Sequence, residues 1–514
     1  LEPEAMAIVE ALGFAVPVRL LVEQIEDLDH IDLETLPGEQ VVLKVVSEQI
    51  AHKTDVGGVA VVRRDPTALK RALETMQTRL AERPIEGYAI NAFVEHGEAL
   101  DQQLLLGARW TDEFGAVVSL GPGGTHAEFV AALSAPSRGP AIVAANDSPQ
   151  RVARTLREKP FSALLVDGWR GQPPRASLQQ LVEVVGRLQR FAERWMPAAI
   201  AEIEINPLLL GPEGPVALDA LVRLGHPPAT VASPRPLDKL ARLLRPSSVA
   251  VIGVSEEPGP GRLIVENLLG GGFAAGQITV IKPGLEVFRG CHCVPDLGSL
   301  PQPVDLLIVC LAAARAPDLL QQVVTGRLAE TVILISGGLG ERPGSEPLVA
   351  RLRATLAQSR QTDWRGPLIN GGNCLGIRSR PGGYDTLFIP EHKLTRGGGG
   401  PAPLALIAQS GALAVARASK LEQLDPRYLI TVGNQLDLTV ADYLAFLKGE
   451  EDLALFVCYV EGFAGLEGRR WLDEVAAITA GGRQVILYRA GRSEAGVDAA
   501  RSHTAAVAGD YEVT

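Results

Sequence analysis

Four apolar runs constrain the fold more than any other feature: SSVAVIGVS (247–255), ITVIKP (278–283), VDLLIVCLA (304–312) and TVILISGG (331–338). They are rich in β-branched residues and alternate with helix-like stretches. Such βαβ repetition implies a parallel, doubly wound sheet. A second series, LALIAQSGAL, LALFVCYVEG and RQVILYRAG, follows the glycine-rich connector TRGGGGPAP (395–403) and repeats the design.

Upstream, EAMAIVEALGF (4–14) has apolar positions at helical spacing, and QVVLKVV (40–46) reads as a buried strand. Helices are expected at 67–82 and 178–195, with strands near 115–120, 199–205 and 215–218. HPPATVASPRP (226–236) breaks all periodicity with four prolines and reads as a linker. The expected division is 1–225, a linker at 226–238, then 239–394 and 395–514, the last cut short.

Length and composition allow this. A chain of 514 residues exceeds what one core supports, since single cores stop growing near ~250–300 residues. A formal charge of −11 argues against a nucleic-acid partner, whose phosphates need clustered Lys and Arg. Five cysteines without a CxxC pair fit a reducing cytoplasm. Cys291-His292-Cys293 is the one cluster, read as a strand or turn that happens to carry thiols rather than a metal site. No apolar run reaches the roughly 18 residues of a membrane span, and the first residues are acidic where a signal peptide is basic. A soluble, cytoplasmic protein is expected.

Several segments suit phosphate. The first strand of the doubly wound region ends at Gly253, followed by Ser255 and a helix opening near Gly261, so backbone amides face the crevice beyond the strand. The next strand ends in Lys282-Pro283 rather than an acid, which disfavours NAD and suits a phosphorylated ribose such as that of coenzyme A. In AQSGAL, Ser410 caps a helix and Gly411 lets an anion approach its positive end; a plain serine cap would read the same. In AEIEINPLLLGPEGPVALDAL, Glu204 and Asn206 share one strand face and a returning strand ends at Asp219. Oxygen ligands so placed suit Mg²⁺ on ATP phosphates, and a hairpin with solvated acids is the alternative. Lys44 inside an apolar strand needs a partner, which a nucleotide phosphate would supply. IAHKTDVGGV then offers His52, Lys53, Asp55 and Gly57-Gly58 in a polar loop that suits phosphate handling, with a simple turn as the alternative. RSHTAAVAGD (501–510) places His503 among small residues.

Taken together, HKTDVGGV, FGAVVSLGPGG, DGWRG and EINPLLL…ALDA resemble the ATP-grasp unit of the ADP-forming acyl-CoA synthetases, the superfamily that includes succinyl-CoA synthetase. SVAVIGVS, NCLGI, AQSGAL, VGNQLDL, YVEG and AGRSEAG…SHTAAVAG resemble its CoA-binding and ligase units. The resemblance implies an α/β chain: an N-terminal ATP-grasp domain, a Rossmann-like CoA-binding domain and a flavodoxin-like succinyl-CoA-ligase-type domain. It implies ATP, Mg²⁺ and coenzyme A acting on a small carboxylic acid, in a homodimer. His503 becomes the phosphorylated histidine, Glu461 the carboxylate that orients it, and His52 a second histidine on the ATP side. Lys44, Gly253, Ser255, Lys282, Pro283, Ser336, Asn373, Ser410 and Gly411 become cofactor contacts; Glu204, Asn206 and Asp219 become metal ligands.

Three departures stand out. GGNCLG puts Gly372 where the family has proline, hinting at room for a larger acid. IKPG replaces VNPK and shifts the lysine to position 282. Gln103 stands where a glutamate is usual. A regulatory protein that binds CoA or nucleotide without turnover is the rival reading, and a carboxylate-amine ligase accounts for the first unit alone.

Overall fold

The computed structural model describes residues 1–50, 53–97, 99, 102–124, 139–168, 170–211, 214–226, 234–390, 393–394, 400–420 and 424–490. Two compact units emerge, Leu1–Ala229 and Thr230–Glu512.

The first unit holds two antiparallel sheets. Strands β1 (Arg19–Val22), β2 (Gln40–Val46), β3 (Val59–Arg63) and β4 (Gly87–Ala92) form a sheet in the order β1-β4-β2-β3. Along β2, Val41, Leu43 and Val45 enter a core with Leu69, Leu73 and Met76 of the helix Pro66–Arg79. Because side chains alternate along a strand, Lys44 points to the opposite face. The second sheet comprises β5 (Leu104–Thr111), β6 (Gly115–Pro122), β7 (Ala141–Ala144), β8 (Ile200–Gly211), β9 (Gly214–Ala217) and β10 (Ala220–Leu224), ordered β10-β8-β5-β6-β7 with β9 on β8. Its core takes Leu181, Val184, Val185 and Leu188 from the helix Leu178–Trp195, and Ala5, Met6 and Val9 from the helix Glu2–Ala11. The single returning strand expected after the turn is two short strands, with Asp219 in the break between them.

The second unit carries the doubly wound sheet: β11 (Val249–Ile252), β12 (Ile278–Ile281), β13 (Val287–Phe288), β14 (Cys291–Val294), β15 (Val304–Val309), β16 (Ala329–Leu334) and β17 (Leu368–Gly371). Their order is β13-β14-β12-β11-β15-β16-β17, all parallel except the edge strand β13. The chain leaves β11 first to one side and later to the other, opening a crevice beyond the ends of β11 and β15. Cys291 and Cys293 are buried on one face of β14 and His292 is exposed on the other, so alternation keeps the three from converging.

A second sheet of six strands contains β18 (Ile377–Ser379), β19 (Tyr384–Asp385), β20 (Ala402–Ala408), β21 (Pro426–Thr431), β22 (Leu455–Val460) and β23 (Gln484–Arg489), ordered β19-β18-β21-β20-β22-β23. The border expected at 394/395 differs from the border between sheets. Ile377–Ser379 pairs antiparallel with β21, so strands before the glycine-rich connector already belong to the second sheet. The linker expected at 226–238 is packed at its end. Arg235 bonds Asp442 at 2.8 Å and Glu467 at 2.9 Å, because a guanidinium beside buried carboxylates is ordered by them.

Candidate functional site

In the first unit the expected residues gather around Lys44. Its ammonium donates to Glu2 Oε1 at 2.9 Å and to the Leu218 carbonyl at 2.8 Å, and lies 3.2 Å from Asp219 Oδ2. Lys53 Nζ is 2.7 Å from Glu2 Oε2 and 3.8 Å from Asp219 Oδ1. The partner expected for Lys44 was a nucleotide phosphate; within the protein it is Glu2, Asp219 and a carbonyl. Lys53 was expected only as one member of the polar loop after β2, and Glu2 was not a candidate from the sequence. Lys53 is set by the two glycines that follow: the Gly58 amide donates to the Lys53 carbonyl at 2.7 Å, and a Cβ at Gly58 would fall 2.6 Å from Val45.

Burial and pairing act in opposite directions here. Burial would raise the pKa of Glu2, yet Lys44 and Lys53 draw it below the ordinary carboxyl value. At Asp219 burial wins, aided by the Glu2 charge, and the carboxyl is held above its ordinary value despite Lys44. Lys44 is raised: burial opposes its charge, but Asp219 and Glu2 more than compensate.

The remaining metal candidates lie on β8. The Asn206 amide oxygen accepts from the Gly124 amide at 2.8 Å, and its own amide donates to the Asp219 carbonyl at 3.1 Å. Glu204, on β8 opposite Leu221, is half-buried. The set is all oxygen, as a hard cation requires. Among the described residues no three His, Cys, Asp or Glu side chains form a preformed cage. A cation here would therefore lean on one or two carboxylates and on its ligand, which fits Mg²⁺ carried with a nucleotide. Gln103 donates from Nε2 to the Gly97 carbonyl at 3.0 Å, a bond a glutamate carboxylate could not make. His52 lies outside the described residues.

In the second unit, the loop after β11 closes on β15. Gly253 has φ of +91°, and a Cβ there would lie 2.5 Å from the Cys310 carbonyl oxygen, so glycine is required. Ser255 Oγ accepts from the Glu257 amide at 3.2 Å. Lys282, with Pro283 after it, reaches the same loop, donating to the Val254 carbonyl at 3.2 Å. Across the crevice the Ser336 hydroxyl donates to the Leu311 carbonyl, and the Asn373 amide donates to the Ser336 carbonyl at 2.8 Å. Thus the CoA candidates share one end of one sheet.

The ends of β20, β21 and β22 form a second crevice. Ser410 Oγ accepts from the Leu413 amide at 3.4 Å at the start of the helix Gly411–Lys420, so the serine cap is present. Gln409, which was not singled out, is buried between two strand ends. Its Oε1 accepts from the amides of Glu461 at 2.8 Å and Gly462 at 3.3 Å. Burial pushes the Tyr459 hydroxyl well above its ordinary pKa, reinforced by the charge of Glu461, to which it hydrogen-bonds. His503 lies outside the described residues.

The two crevices meet at GGNCLG. The Asn434 amide donates to the Gly372 carbonyl at 2.8 Å, and the Asn434 side chain donates to Glu341 at 2.6 Å and to the Leu339 carbonyl at 2.8 Å. The room inferred at Gly372 is filled: a Cβ there would lie 2.9 Å from Leu339 Cδ1 and 3.1 Å from the Ser336 carbonyl. Glycine at this position accommodates a leucine and leaves no added space in that direction.

Comparison with known proteins follows the same division. A model for an ATP-grasp domain matches residues 1–224, one for a CoA binding domain residues 247–380, and one for a succinyl-CoA ligase like flavodoxin domain residues 401–514. The chain is 26% identical over 518 residues to acetate–CoA ligase [ADP-forming] II of Archaeoglobus fulgidus, covering 100% of this chain and 71% of that protein. It is 32% identical over 287 residues to acetate–CoA ligase [ADP-forming] I subunit alpha of Pyrococcus furiosus, covering 53% of this chain and 57% of that one. Among solved structures, dinucleotide forming acetyl-coenzyme A synthetase 1 of Ca. Korarchaeum cryptofilum, in complex with phosphate and ADP, is 29% identical with a TM-score of 0.46. That match covers 53% of this chain and 56% of that one. The chain therefore spans 71% of the first relative and little more than half of the other two.

Proposed function

We propose, from its matches to ATP-grasp, CoA-binding and succinyl-CoA ligase-like domains in one chain, that the protein is an ADP-forming acyl-CoA synthetase: it joins a small carboxylic acid to coenzyme A using ATP, with release of ADP and phosphate. What carries the reading is the presence in one chain of two kinds of site. The first unit has buried Lys44 and partly buried Lys53 beside oxygen ligands, and the second has parallel-strand crevices ending in Gly253, Ser410 and Glu461.

Lys44 and Lys53 neutralise nucleotide phosphates where burial limits screening by water. Asp219, with Asn206 and Glu204, would hold a Mg²⁺ ion, which when bound would supply charge neutralisation to those phosphates. His503, neutral, forms a nitrogen–phosphorus bond to the γ-phosphoryl group as the bond to ADP breaks; His52 assists on the nucleotide side. Glu461 fixes the tautomer of His503, and the helix opening at Ser410-Gly411 steadies the phosphoryl oxygens. A substrate carboxylate oxygen then takes the phosphoryl group, and the CoA thiolate attacks the acyl carbon as phosphate leaves. Splitting the reaction through a covalent carrier separates ATP chemistry from acyl chemistry. Gly253, Ser255, Lys282, Pro283, Ser336 and Asn373 hold the CoA. We read the protein as a cytoplasmic homodimer, a location supported by the free state of its five cysteines.

The test is incubation with ATP labelled at the γ-phosphate. Acid-labile, base-stable label on the wild type and none on His503→Ala supports the reading, and no label on the wild type refutes it. Thioester formation across a panel of carboxylic acids then identifies the substrate.

A further inference from the structure

Lys44 donates hydrogen bonds to Glu2 and to the Leu218 carbonyl, and its ammonium is also ion-paired with Asp219. An ammonium so engaged turns toward a phosphate most readily when the ion pair to Asp219 is given up. The contact to Asp219 is the longest of the three, 3.2 Å against 2.9 Å and 2.8 Å. The Asp219 side chain is also 28% exposed, whereas that of Glu2 is 4% exposed. The same asymmetry holds at Lys53, which is 2.7 Å from Glu2 and 3.8 Å from Asp219. Of two carboxylates shared by two lysines, one is closer and fully buried and the other is farther and partly exposed.

We propose that Glu2 is a positioning residue of the nucleotide site: it anchors Lys44 and Lys53 through its two carboxylate oxygens while Asp219 exchanges from the lysines to a divalent cation. This rests on the reading of the first unit as an ATP and Mg²⁺ site. When the cation draws Asp219 away, a donor on Lys44 is released toward phosphate, and the contact to Lys53 is released with it. Glu2 comes from the helix packed on the second sheet and Lys44 from the first sheet, so the anchor spans both halves of the unit. With Glu2 fixed, the two lysines keep their places and one of their charges stays balanced, leaving one positive charge for the nucleotide. Metal and nucleotide thereby bind cooperatively, a coupling that operates through Asp219.

Glu2→Gln reverses the logic. Asp219 becomes the sole carboxylate between two ammonium groups and is held by both, while the cluster gains a net positive charge. Binding of ADP to the full chain is measured by calorimetry with and without magnesium chloride. In the wild type, Mg²⁺ tightens ADP binding. In Glu2→Gln, metal-free binding becomes several-fold tighter and the gain from Mg²⁺ falls by about tenfold, the scale of one altered charge in a buried cluster. Glu2→Gln with Lys53→Gln restores both charge balance and the gain from Mg²⁺.

An unchanged Mg²⁺ gain in Glu2→Gln overturns the proposal, and so does an equal loss of affinity with and without metal, which is what a merely structural role predicts. Should the single variant fail to fold, Glu2→Asp decides, since it keeps the charge but is too short to hold both lysines: a reduced Mg²⁺ gain supports the anchor, and a wild-type gain overturns it. Failure of the underlying reading looks different. Then the wild type binds no ADP under either condition, or Asp219→Asn retains the full Mg²⁺ gain.

Discussion

Replacing Arg235 with methionine tests what holds the two sheets of the second unit together. Its guanidinium lies 2.8 Å from Asp442, 2.9 Å from Glu467 and 3.6 Å from Asp437. Burial opposes its charge, but the three carboxylates raise its pKa above the ordinary arginine value. Methionine keeps much of the stem and removes the charge. Removing one member of a buried ion pair costs about 3–5 kcal/mol, because the partner stays buried and uncompensated. Here the loss is smaller. Arg470 still lies 2.9 Å from Asp442 and from Glu467, and Arg360, on the helix Glu346–Arg360, still holds Asp437 at 2.7 Å. We expect a loss of about 2–3 kcal/mol. Amide hydrogen exchange of β21 and the helix Val440–Leu447 then accelerates roughly 30- to 150-fold, at 1.4 kcal/mol per tenfold. Adding Glu467→Gln removes the one negative charge left in excess of Arg360 and Arg470 and recovers part of the loss. Exchange within about threefold of the wild type, or no recovery in the double variant, would refute the electrostatic account.

Gly253→Ala should lower stability by about 1–3 kcal/mol and weaken CoA binding, since the residue sits at positive φ against the Cys310 carbonyl; unchanged melting and CoA titration would argue otherwise. Burial pushes the Cys374 and Cys458 thiols up to about 12, so native protein at pH 8 should resist alkylation at both positions and accept it once unfolded; mass mapping of modified peptides checks this. Burial would raise Asp305, yet its bonds from Ser247 and Arg242 lower it below the ordinary 3.8. Its stabilisation is therefore complete above that value and lost as pH falls through the lowered one. Asp305→Asn should cost about 1–2 kcal/mol at neutral pH and progressively less under acid in urea melts; a difference that does not shrink with acid would refute it.

Part of the candidate site was legible because its chemistry is local. Gly253 and Ser410 follow apolar strands, and the strand-to-helix turn that exposes backbone amides is written in consecutive residues, whereas Glu461 came from the resemblance. Lys44 stood out because a charge inside QVVLKVV violates the apolar pattern around it. Lys53 lay in the polar loop HKTDVGGV, where nothing separated it from its neighbours. Glu2 had none at all: an acid in the first turn of an amphipathic helix is ordinary, and its partners are 42 and 51 positions away in sequence. Gln409 sits beside Ser410, but only the pairing of β20 with β22 makes it the acceptor for two amides of the Glu461 strand end. Gly372 shows the opposite error, where a missing side chain suggested space that Leu339 fills.

The sequence by itself determined the parallel sheets, the strand-end turns and the residue types able to bind phosphate, because hydrophobic period and turn chemistry act over a few neighbouring residues. Tertiary structure decided which charges meet. Whether Lys44 faces a ligand or a carboxylate, and whether 377–385 joins the sheet before it or after it, depends on segments distant in the chain. Ion pairing and strand pairing are set by distance in space, and a linear pattern carries no record of that distance.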